Sequence, residues 1–174
     1  EPSVLRNYAR HVDTGETIPD VLIDKLLAAD TFNQGFATTE YLAASYLDMA
    51  WSGLEAPTML GVDEFEAKAM AAINLIDVVG PRYNSGYFQH IFAEDNYSAG
   101  YYAYIWAEVL DADGFEAFKE NGIFDPATAL SFRQNVLERG GTAEAMGLYQ
   151  AFRGRAPAVE PLLRKRGLLT TSST

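Results

Sequence analysis

Residues 63–76 read DEFEAKAMAAINLI, and the spacing of the apolar members sets the fold class. Phe65, Ala69, Ala72, Ile73 and Ile76 recur at intervals of three and four, which aligns side chains along one face of an α-helix. Asp63 stands where a side-chain oxygen can cap the first turn. The same period returns upstream, where Leu47, Ala50, Trp51 and Leu54 punctuate the run from Tyr41 behind Thr39. Each of these helices is expected to bury one face.

Start and stop signals extend the pattern along the chain. Ser3 precedes Val4-Leu5, and Pro19 opens a helix from Asp20 to Ala29. Ser98 is expected to cap a helix through Leu110, Asp125-Pro126 to open one that ends before Gly140-Gly141, and Thr142 to open one through Phe152. A short helix after Pro157 ends at Gly167. No run alternates long enough for a strand, and no repeat recurs at 20 to 50 residues. The expected class is all-α, a multi-helix body over residues 1–169 with a small polar tail, Thr170–Thr174, that frays.

With 174 residues and 48% hydrophobic content, the chain can bury one ordinary core, so length alone suggests one compact unit. A net charge of −11, from 24 acids against 13 bases, opposes binding to nucleic acid and to anionic lipid. Neither partner is expected. The chain has no cysteine, which removes disulfides, thiolate metal sites and a cysteine nucleophile together. No stretch of about 18 apolar residues is present to span a bilayer. The opening Glu1-Pro2-Ser3-Val4 has neither the basic region nor the apolar segment of a signal peptide. It also lacks an initiator methionine, so the expectation is a fragment or processed product, cytoplasmic, with the periplasm as the other compartment.

One segment stands apart from plain helix. Residues 80–104 read GPRYNSGYFQHIFAEDNYSAGYYAY and hold six of the ten tyrosines. On a helix starting near Ser98, Tyr97, Tyr101 and Tyr104 lie at i, i+4 and i+7 and share a face. Such a stripe suits core packing, but each buried phenol then needs a partner. Leucine or phenylalanine would pack as well without that requirement.

Metal and nucleophile motifs are missing. Zinc hydrolases commonly use two histidines one turn apart beside a glutamate, whereas this chain has only His11 and His90. His90 and Glu94 have helical spacing, but two ligands do not make a site. His11 is expected at a helix C-terminus, where the macrodipole favours it. Arg153 and Arg155 suit either a carboxylate ligand or a neighbouring acid at a helix end. Glu94-Asp95-Asn96 lacks the alternating oxygen ligands of a calcium loop.

The strings HIFAEDNYSAGYYAYIWAEVL, FRQNVLERGGTAEAMGLYQAFRGRAP and LLRKRGL, taken in order, resemble the end of the thimet oligopeptidase and peptidyl-dipeptidase family of zinc peptidases. The opening EPSVLRNYARHVDTGETIPDVLIDKL resembles the stretch that follows that family's zinc-ligand helices. The resemblance implies that the zinc motif and its glutamates lie in a missing N-terminal part of the same polypeptide. Zinc is then a cofactor of the parent, with none expected in this chain, which alone would be inactive. It further implies that His90, Tyr97 and Tyr104 are catalytic and that Tyr101, with His90 and Tyr97, binds substrate. The loop from Phe92 to Asn96 departs from the glycine-rich pattern of relatives.

Short peptides are the implied substrates, with the parent acting as a peptidyl-dipeptidase or oligopeptidase. A neutral phenol stays protonated at pH 7 and can donate to an oxyanion, and a neutral histidine can donate to a backbone carbonyl. The alternative from another class is a non-catalytic helical interaction module with a tyrosine-rich patch, since tyrosine is enriched at interface hot spots.

Overall fold

The computed structural model describes residues 1–169 and is all-α, with no strand among them. The expected fraying at Thr170–Thr174 lies outside the described residues. Contacts divide the chain into two units, residues 1–34 and 35–174, where length alone suggests one. In residues 1–34, α1 (Pro2–Tyr8) and α2 (Asp20–Asp30) are joined by a turn closed by a single antiparallel bridge between Arg10 and Thr17. Only Ile23 is buried there, so this unit has almost no core of its own. His11 lies in that turn, beyond α1, and its Nδ1 accepts from the Asp13 and Thr14 amides instead of meeting a helix end.

The second unit carries α3 (Gln34–Ser52, all but its first residue), α4 (Val62–Ala72), α5 (Gln89–Phe92), α6 (Ala103–Asn121), α7 (Pro126–Phe132), α8 (Ala145–Arg153) and α9 (Glu160–Lys165). Ala44, Leu47, Phe88, Ile91 and Tyr101 form its main core, with Trp51, Met70 and Tyr83 packed on it. Trp51 and Phe65 stack at 3.8 Å between ring centroids, which joins the two sequence stripes read as α3 and α4. A second cluster, Val109, Ala112 and Leu162, fastens α9 to α6.

Local chemistry explains most boundaries and the departures from expectation. Asp125 accepts from the Thr128 amide at 2.7 Å, so the cap of α7 stands where the sequence places it. α4 stops at Ala72, short of Ile76, because Asn74 adopts a left-handed φ of 52°. α8 begins at Ala145 because Glu144, not Thr142, caps it by accepting from Gly147 N; the Thr142 hydroxyl instead donates to the Arg139 carbonyl. α3 starts at Gln34, so Thr39 lies inside it and donates back to the Gly35 carbonyl. Among the described residues no helix is long and apolar enough to cross a membrane.

Candidate functional site

α6 begins at Ala103, four residues later than the Ser98 cap implies. Tyr97 closes a short 3₁₀ turn (Asp95–Tyr97), and Ala99 then takes a φ of 56°, a conformation that ends any helix. The tyrosine stripe is therefore not helical, although its spacing suggested a helix face. Its cause lies in α3: Asp48, fully buried, accepts from Ala99 N and Tyr101 N at 2.9 Å each, and Ser52 Oγ donates to the same carboxylate. A helix starting at Ser98 would leave these first-turn amides without an internal partner, and here a buried carboxylate takes them around the left-handed Ala99.

The irregular backbone nonetheless gathers the expected residues. The Tyr104 phenol donates to the Tyr97 hydroxyl at 3.0 Å, and the two rings lie nearly parallel, 5.7 Å apart. His90, supplied by the single-turn α5, sits 5.5 Å from Tyr97, 5.4 Å from Tyr101 and 6.3 Å from Tyr104 between ring centroids. His90 Nδ1 is buried and has no hydrogen-bond partner. The loop from Phe92 to Asn96 returns Tyr97 to His90.

Tyr101 is 3% exposed, and burial pushes its phenol up to about 12. Tyr104 is 41% exposed; its phenol is raised too, first by the hydrogen bond to Tyr97. Both remain protonated at neutral pH and can act only as neutral donors and acceptors. Tyr41 ties the floor together, donating to the Tyr101 carbonyl at 2.7 Å and accepting from Ile105 N.

These rings face a cleft of about 400 Å³, lined also by Arg82, Glu108 and Arg166. Arg166 donates to Thr38 Oγ1 and Glu108, whereas the Arg82 pair with Glu40 is stretched to 3.9 Å. A larger cleft of about 520 Å³ is walled by Phe115, Phe118, Phe132 and Phe152 and has neither histidine nor arginine in its lining. Of the two, the smaller cleft carries the histidine and the arginines. Among the described residues no group of three or more His, Cys, Asp or Glu could hold a metal ion, so the zinc implied by the resemblance finds no ligand set there.

Several residues here escaped the sequence reading. Asp48 has a signal in hindsight, a lone carboxylate within the apolar stripe of Ala44, Leu47 and Trp51. Arg82, Glu108 and Arg166 have none, because charged residues are ordinary on protein surfaces. Arg153 and Arg155 are taken up elsewhere: Arg155 and the Tyr149 phenol bind the fully buried Asp113, and Arg153 pairs with Glu120.

Comparison with known proteins gives a consistent result. The pattern described as peptidase family M3 matches residues 1–168. The chain is 43% identical over 169 residues to dipeptidyl carboxypeptidase of Escherichia coli K12, covering 96% of this chain and 25% of that protein. It is 37% identical over 171 residues to oligopeptidase A of the same organism, covering 97% and 25%. To a probable cytosolic oligopeptidase A of Arabidopsis thaliana it is 39% identical over 178 residues, again covering 97% and 25%. The chain spans about a quarter of the length of these curated relatives.

Proposed function

Because this chain belongs to peptidase family M3, we propose that it forms the peptide-gripping, oxyanion-facing wall of a peptidase that hydrolyses short peptides. The observation that supports this most is the placing of His90 and Tyr104 on one cleft, with the half-exposed Tyr104 phenol held by its hydrogen bond to Tyr97. The whole protein's zinc would supply Lewis-acid activation of carbonyl and water. The described residues do not fit a metal site, and the steps assigned to this chain do not pass through one.

In this reading, an extended peptide lies along the cleft with a backbone carbonyl turned toward Tyr104. The Tyr104 O–H, which now donates to Tyr97, turns to the carbonyl oxygen as negative charge builds there. Such a bond strengthens on going to the tetrahedral state, which is what lowers a barrier. Tyr97 holds the phenol in place by accepting its hydrogen bond before substrate arrives, and its own O–H can donate in turn. His90 donates to a second peptide carbonyl and fixes register. Tyr101, buried, forms the apolar floor. Arg82, loosely paired, can receive a substrate carboxylate.

The test is steady-state kinetics on a short peptide with Tyr104→Phe in the whole gene product. The expected result is a lower kcat with KM nearly unchanged, since the ring and its packing remain. An unchanged kcat with a lowered melting temperature would assign Tyr104 to packing instead.

A further inference from the structure

We infer that Asp48 is a positioning residue for the tyrosine cluster, a carboxylate on α3 that holds the backbone of residues 99–101 and thereby sets where Tyr97 and Tyr104 meet. The inference rests on the role proposed for Tyr104 and adds a residue that touches neither substrate nor reacting atoms.

Asp48 is fully buried on the apolar face of a helix, where an unpaired carboxylate would be very unfavourable. Its oxygens are all engaged by donors. Oδ1 accepts from Ala99 N at 2.9 Å and Ser52 Oγ at 3.0 Å, and Oδ2 accepts from Tyr101 N at 2.9 Å. Ser52 Oγ also accepts from Ala99 N at 3.0 Å, so one amide is held from two sides. A carboxylate, an acceptor at both oxygens, matches this set of donors.

What is held matters as much as the holding. Ala99 is a non-glycine residue with φ of 56°, an uncommon state that persists where surroundings fix it. With that kink in place the chain between Tyr97 and Ala103 is compact, and the two phenols approach to 3.0 Å across seven residues. At the other flank of the segment Glu66, on α4, accepts from Ser85 N at 2.7 Å and Asn84 Nδ2 at 2.8 Å. The stretch carrying His90 and the tyrosines is thus anchored at both ends by carboxylates from neighbouring helices. Asp48 is the anchor adjacent to the phenols.

Asp48→Asn keeps the shape but turns an NH₂ group toward the Tyr101 amide, setting donor against donor. In the whole gene product this change is expected to lower kcat on a short peptide about 100-fold, as about 1 Å of misplacement can, with KM and helicity nearly unchanged. Combined with Tyr104→Phe it is expected to add almost nothing, because both remove one hydrogen bond to the oxyanion. Full kcat in Asp48→Asn, or losses that multiply in the double variant, overturns the inference. If Asp48→Asn does not fold, Ser52→Ala is expected to lower kcat about fivefold, the worth of one neutral hydrogen bond; no loss there overturns it equally. Amide hydrogen exchange in Asp48→Asn reads the anchor without turnover: faster exchange at Ala99 and Tyr101 than in the unaltered protein is expected, and unchanged exchange overturns the anchor. Full kcat in Tyr104→Phe alone would overturn the role of Tyr104 and is distinguishable from failure of Asp48.

Discussion

The Tyr104 phenol donates a hydrogen bond to the Tyr97 hydroxyl at 3.0 Å, with ring planes 9° apart. The pair joins a residue on α6 to one in the 3₁₀ turn before it, and it leaves Tyr104 about half exposed to the cleft. A donor that already has an acceptor but can turn to a better one suits a site where charge appears only during reaction.

Tyr97→Phe removes the hydrogen bond that chiefly raises the Tyr104 phenol, so Tyr104 is expected to ionise at lower pH in that variant. Phenolate absorbance, titrated with and without the substitution, measures the shift. In turnover Tyr104→Phe is expected to cost about 10²- to 10³-fold in kcat, the usual loss of one oxyanion donor. A smaller kcat loss with a raised KM in Tyr97→Phe would assign Tyr97 to holding substrate.

Dialysed against zinc, the chain is expected to retain far less than one equivalent and to show no peptide hydrolysis. Tight zinc sites use three or four protein ligands, and the described residues bring no three candidates together. Metal analysis after dialysis decides the point, and one firmly held equivalent would refute it.

Asp113 should make stability depend on acid. Burial pushes its carboxyl up, but hydrogen bonds from Arg155 and Tyr149 outweigh this and hold it below the ordinary value. A depressed carboxyl stabilises above its unfolded pKa of about 4 and loses that contribution as pH falls through the folded value. Asp113→Asn is expected to cost about 3 kcal/mol at pH 7, the low end for breaking a buried pair because Arg155 is 45% exposed. Melting curves should show the gap to the unaltered chain narrowing steadily below about pH 4. A gap independent of pH would remove the ionic account.

Asp125→Ala should lower stability by about 1 kcal/mol through loss of the α7 cap at Thr128 N. Asp125→Asn, which keeps an acceptor oxygen, should recover most of it. Denaturant midpoints of the two variants separate a lost cap from a lost charge.

Much of the helical framework was legible in sequence because its causes are local. Apolar spacing marked α3 and α4, the Asp125-Pro126 cap marked α7, and Gly167, with φ of 66°, follows the end of α9. These signals act over three or four residues, and the chain around them is enough to read them. The site residues His90, Tyr97, Tyr101 and Tyr104 were named from the family resemblance, and the structure brings all four together without testing their roles.

What the tertiary structure alone decided is how they come together. Spacing placed the tyrosines on a helix face, yet Tyr97 and Ala99 lie outside any α-helix because Asp48, about fifty positions earlier, takes the amides of Ala99 and Tyr101. A carboxylate reads the same in sequence whether solvated or buried, and its worth is set by the donors that meet it only after the chain closes on itself. Hydrogen bonds between residues far apart in sequence depend on packing that places both groups out of water. The helices follow from near neighbours; the meeting of Tyr97 with Tyr104, and the carboxylate behind it, follows from that distant closure.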